Sequence, residues 1–75
     1  MSNIVWKSVF SSNVQRLGWQ PDPPAMLVEW TSGKNRTSEY AGVDEKLFEE
    51  ITKAPSVGTA LNMEIKGKYA HRYVG

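Results

Sequence analysis

Asp44 to Ile65 reads DEKLFEEITKAPSVGTALNMEI, and its apolar spacing sets out two short helices that meet at a corner. Leu47, Phe48 and Ile51 fall at i, i+1 and i+4, on one side of a helix whose other side carries Glu45, Lys46, Glu49 and Glu50. Val57, Leu61 and Ile65 repeat the scheme for a second helix. Between the two, the proline of Ala54-Pro55-Ser56 disfavours a helical Ala54 and cannot donate the next backbone hydrogen bond. Ser56 is then placed to cap the second helix. Asp44 takes the same role for the first helix, with Glu45 favourable at its positive end.

Upstream, the period changes from helical to alternating. Met26, Val28 and Trp30 alternate with Leu27, Glu29 and Thr31, the strongest strand pattern in the chain. Ser32-Gly33-Lys34-Asn35 is a turn, and so short a connection makes Arg36 to Tyr40 the second arm of a hairpin, with Ser38 and Tyr40 on one face. On the other side, Gln20-Pro21-Asp22-Pro23-Pro24 reads as a loop, because its prolines exclude helix and central strand. Val14 to Trp19 is extended, with Leu17 and Trp19 on one face and Arg16 opposite; Val14 is out of phase, which predicts a bulge or bend near Gln15. Met1 to Phe10, with Ile4, Val5, Trp6, Val9 and Phe10, suits a short or edge strand. The second helix should weaken around Gly67, and Lys68 to Val74 is either a ragged turn or a short terminal strand. The expectation is a single α+β domain over residues 1–75: a small antiparallel sheet of three to four strands followed by two helices packed on one face. Its expected core is Met26, Val28, Trp30, Leu47, Phe48, Ile51, Leu61 and Ile65.

A chain of 75 residues buries only about 60% of its unfolded surface on folding, so the core must be small. Three Trp, three Tyr and two Phe suit that need, since large rings bury much area per residue. There is no cysteine, which fits a reducing cytoplasm and excludes a Cys-based metal site. No basic region precedes a long apolar run, and no segment approaches the roughly 20 apolar residues needed to span a bilayer. The expected setting is the cytoplasm, with no membrane contact. The formal charge is only +1, too small to set up a strong field for a polyanion. Its distribution is uneven: after Thr52 the basic residues Lys53, Lys66, Lys68 and Arg72 face the single acid Glu64, whereas Asp44 to Glu50 is acidic.

Taken in order, several short motifs resemble those of the KTSC domain, a module known from the C-terminus of some lysyl-tRNA synthetases and from small bacterial and phage proteins. They are Ser11-Ser12-Asn13-Val14, Leu17-Gly18-Trp19, Met26-x-Val28-x-Trp30-x-Ser32-Gly33, Tyr40-x-Gly42-Val43, Ala54-Pro55-Ser56-Val57-Gly58, Leu61-Asn62 and Gly67-Lys68-Tyr69. The resemblance spans nearly the whole chain. It carries no established reaction, and the company of a tRNA synthetase implies RNA as the partner. Where the family has Tyr-x-Tyr, this chain has Ser38-Glu39-Tyr40, leaving one tyrosine as a stacking ring.

Lys66-Gly67-Lys68-Tyr69-Ala70-His71-Arg72-Tyr73 interleaves cations with aromatic rings and one histidine. That mixture suits phosphates and unstacked bases. It equally suits a solvated helix end, with Lys and Arg at the negative pole and Tyr69 packed on the core. The candidate nucleic-acid-binding set is Lys34, Arg36, Tyr40, Lys66, Lys68, Tyr69, His71 and Arg72, the first two joining only if the hairpin lies beside the C-terminus. Ser56 and His71 lack a third partner or an oxyanion loop, so no catalytic residue and no enzyme activity are expected. One His and no Cys give no metal site, and no cofactor or small-molecule substrate is indicated. Ser56-Val57-Gly58-Thr59 can either present backbone N–H groups to an anion or owe its glycine to close packing of a ring such as Trp30. Asn62, beside Leu61, is expected as a buried pin to a loop backbone. Two functions are open to such a chain: an RNA-binding module using the basic C-terminal segment, or an interaction module that docks on another protein, such as a phage-encoded modulator of a host protein.

Overall fold

The computed structural model describes residues 4–9, 11, 13–31 and 37–74. Five strands and two helices run in the order β1 (Val5–Ser8), β2 (Val14–Pro21), β3 (Pro24–Trp30), β4 (Thr37–Ala41), α1 (Glu45–Thr52), α2 (Val57–Glu64) and β5 (Ala70–Tyr73). All neighbouring strands are antiparallel, and the sheet order equals the chain order. The α+β architecture matches the sequence expectation, with five strands instead of three to four. The additional pairing comes from β5, which returns after the helices to lie beside β4. No helix among the described residues is long and apolar enough to cross a membrane.

One further difference has a local cause, and one expectation is met. Pro21 and Pro24 are the last and first residues of paired central strands, leaving only Asp22 and Pro23 as the turn. A strand end tolerates a residue that cannot donate to the ladder. The irregularity near Gln15 is present as a shift in register between Val14 and Arg16. The turn expected at 32–35, with Lys34, and Arg36 after it, lie outside the described residues.

Strand pairing aligns side chains in rows across the sheet, and alternate rows face opposite sides. One face carries Trp19, Met26, Tyr40 and His71 in one row, and Leu17, Val28, Ser38 and Tyr73 in the next. The helices cover much of this face through Phe48, Ile51, Val57, Leu61 and Ile65. Trp30 and Leu47, expected in the core, are only half-buried against it. Val14, Leu17, Tyr40 and Val43 complete the interior. Asp44 caps α1 by accepting the Leu47 N–H at 2.8 Å, and Ser56 caps α2 by accepting the Thr59 N–H at 3.3 Å. Trp19 Nε1–H donates to the Val43 carbonyl at 2.8 Å, tying the β4–α1 connection to β2.

The other face is closed by a different device. Trp6 lies across Gly18, where an added Cβ would sit only 2.8 Å from the ring. The Arg16 guanidinium stacks over Trp6 at 4.0 Å and donates two hydrogen bonds to Glu29, at 3.0 and 3.1 Å. Leu27, next to Gly18 in the same row, is buried on this side.

Candidate functional site

The helices leave the β4–β5 end of their sheet face open. There, beyond the end of α2, lies a cavity of about 310 Å³ lined by Trp30, Ser38, Tyr40, Lys66, His71 and Tyr73, with Gly67 at its edge. The chain reaches it through Gly67, whose φ of +80° is left-handed and turns α2 back toward the sheet. Such a turn suits a residue without a Cβ.

The rings are held in a chain. His71 lies 4.9 Å from Tyr40 between centroids, tilted by 37°, and meets Tyr73 edge-on at 4.8 Å. Ser38, 1% exposed, accepts the Trp30 indole N–H at 2.8 Å and is bonded to His71 Nε2 at 2.9 Å. With one lone pair taken by Trp30, the hydroxyl keeps a proton and a second lone pair for the contact with His71 Nε2, so Trp30 Nε1 and the Ser38 hydroxyl are both partnered. The Lys66 ammonium stands 5.3 Å over the Trp30 ring, inside the range of a cation–π contact. Burial, and secondarily the neighbouring Tyr73, push the Tyr40 phenol above its ordinary value of 10.0. Tyr40 is therefore a neutral wall of the cavity at physiological pH.

The structure brings together only part of the sequence-derived set. Lys66, Tyr40 and His71 meet in the groove. Lys68 is exposed in the turn after α2, and Tyr69 is half-buried against the core. Arg72 points to the opposite face, where its Nε donates to Glu39 at 2.6 Å. Lys34 and Arg36 lie outside the described residues. Trp30, Ser38 and Tyr73 line the groove without belonging to that set. Ser38 carries a signal in the sequence, because it stands where the family resemblance places a tyrosine.

A second cavity, of about 340 Å³, adjoins the first at Trp30 and Lys66 and runs along α2 past Ser11, Asn13, Ser56, Gly58, Thr59 and Asn62. Asn62 is exposed here, not a buried pin: it follows Leu61 by about 100° of helical turn and so leaves the core face. Gly58 is not crowded by Trp30 either, since a Cβ built there meets nothing within 4 Å. On the opposite sheet face, a trough of about 620 Å³ is lined by Pro23, Pro24, Ala25, Ala41 and Ala70 together with the Glu39–Arg72 ion pair.

An antiparallel sheet with two helices on one face and an aromatic groove at their uncovered end defines a small α+β module. The chain belongs to the KTSC domain family, whose model matches residues 10–69. It is similar in structure to a crystallised KTSC domain protein from Yersinia pestis, with a TM-score of 0.86 at 27% sequence identity, covering 97% of this chain and 100% of that one. No curated protein matches the sequence.

Proposed function

We propose that this domain is a non-catalytic, cytoplasmic binding module that holds single-stranded RNA in the groove between the end of α2 and the β4–β5 edge. The observation that carries the reading is Lys66 poised over Trp30 at the rim of a cavity lined by Tyr40, His71 and Tyr73. Single-stranded nucleic acid is held by rings that stack on bases and cations that neutralise phosphates, and this groove offers both within one ligand's reach. Burial of Ser38 supports the non-catalytic part, because its hydroxyl is already engaged by Trp30 and His71 and is shielded from an incoming carbonyl or phosphoryl group. Fluorescence anisotropy of a labelled single-stranded RNA titrated with the whole chain at low salt tests the reading. Saturable binding that weakens in Lys66→Ala is expected. An RNA that stays free at low salt overturns it.

A second reading, docking on another protein, draws support from the trough on the far face, where alanines and prolines lie beside the Glu39–Arg72 pair. Capture from lysate after nuclease treatment, repeated with Ala41→Glu, separates the two. A protein retained by the parent and lost in that variant favours docking.

A further inference from the structure

We infer that the groove reads a dinucleotide step of RNA, with a base in the aromatic cavity, the bridging phosphate at Lys66 and the next ribose in the polar cavity along α2; this rests on the proposal that the domain binds RNA. The two cavities adjoin at Trp30 and Lys66, which line both. Their chemistries differ in the order a dinucleotide requires. On one side of Lys66 stand the rings of Tyr40, His71 and Tyr73; on the other stand hydroxyls and amides, from Ser11, Asn13, Ser56, Thr59 and Asn62. A ribose, with a 2′-hydroxyl that both donates and accepts, suits such a wall. Thr59 Oγ1 accepts from Ser56 Oγ at 3.0 Å, which leaves the threonine's own proton for a ligand oxygen. Asn62 is exposed on the same wall and offers both a donor and an acceptor.

Gly58 is an independent pointer. Glycine disfavours a helix, and in α2 no neighbouring atom requires it, because a Cβ there would meet nothing within 4 Å. It lines the polar cavity, where a missing side chain lets a ribose come close to the helix backbone. A residue that costs helix stability, is unneeded for packing and faces a groove is placed for a ligand.

Isothermal titration of the whole chain with three probes tests this: a ribonucleoside 3′-methylphosphodiester, which keeps a single phosphate charge, a ribodinucleoside monophosphate, and its deoxy counterpart. The ribodinucleotide should bind about tenfold tighter than the other two, the gain of one or two added hydrogen bonds. Gly58→Ala and Asn62→Ala should each erase that gain while leaving the mononucleotide affinity in place, and Gly58→Ala should melt at or above the parent temperature. If longer RNA binds but the three probes bind alike, or both variants keep the gain, the dinucleotide inference fails and the RNA reading stands. If neither the probes nor longer RNA binds, both fail.

Discussion

The Ser38 hydroxyl joins Trp30 Nε1 to His71 Nε2 at the wall of the groove, so removing it strands two polar groups at once. Ser38→Ala should cost about 1 to 3 kcal/mol in urea denaturation, nearer the lower figure because His71 is exposed and can turn to water. A variant as stable as the parent would mean that Trp30 finds another acceptor. Tyr40, one row along the same face, gives a pH test. Its phenol is raised above 10.0 by burial and then by Tyr73, so the folded state holds the proton more tightly than the unfolded chain. Its contribution is therefore whole below the unfolded value and is lost as pH rises through the folded one. The measurement is a comparison with the parent: Tyr40→Phe should lose less stability than the parent between mildly alkaline pH and pH above 10. Equal losses would show that Tyr40 ionises in the fold as freely as in the unfolded chain. At this scale the sequence is legible where a residue has one dominant role, as in the caps Asp44 and Ser56. It is not legible for Trp30, whose alternation with Val28 reads as core although one side of the ring forms the groove.

Helices and strands differ in legibility for a physical reason. α1 and α2 can be read because their apolar residues must return every three or four positions to reach one core, and Pro55 must break them apart. Phe48, at the centre of that core and 2% exposed, makes the dependence measurable. Phe48→Ala should cost about 3 to 5 kcal/mol, a large part of the roughly 4 to 11 kcal/mol that 0.05–0.15 kcal/mol per residue allows so small a chain. A thermal melt close to that of the parent would refute the packing. β5 gives no such pattern, since all four of its residues are exposed and neither of its faces is marked by apolar alternation. Its period of two has a consequence for function that a count of basic residues misses: His71 faces the groove while Arg72 crosses to the far face and pairs with Glu39. Lys66→Ala should lower RNA affinity roughly tenfold, the scale of a charge-assisted contact, whereas Arg72→Ala should leave it unchanged. Equal losses in the two variants would place the ligand across the sheet edge instead of in the groove.

Taken whole, the molecule has a formal charge of +1 and so offers little long-range attraction to a polyanion. RNA binding as proposed must therefore act at close range, through few phosphates and through rings that work without charge. Each phosphate neutralised on a single strand releases counterions and contributes about −0.7 to the slope of log affinity against log salt. Lys66 at the groove, joined at most by the exposed Lys68 nearby, gives an expected slope between about −0.7 and −1.4. Stacking on Trp30, His71 and Tyr73 should supply the remainder, which salt leaves in place. Binding of a short single-stranded RNA measured from low to high salt should therefore weaken gently and then level off. Lys66→Ala should flatten the line by about 0.7 without abolishing the salt-resistant part. A much steeper slope would require several more cations on the ligand, more than the described groove presents, and would move the site to another surface. A slope near zero, unchanged by Lys66→Ala, would remove the phosphate from the contact and leave the trough of Ala25, Ala41 and Ala70 as the surface to pursue.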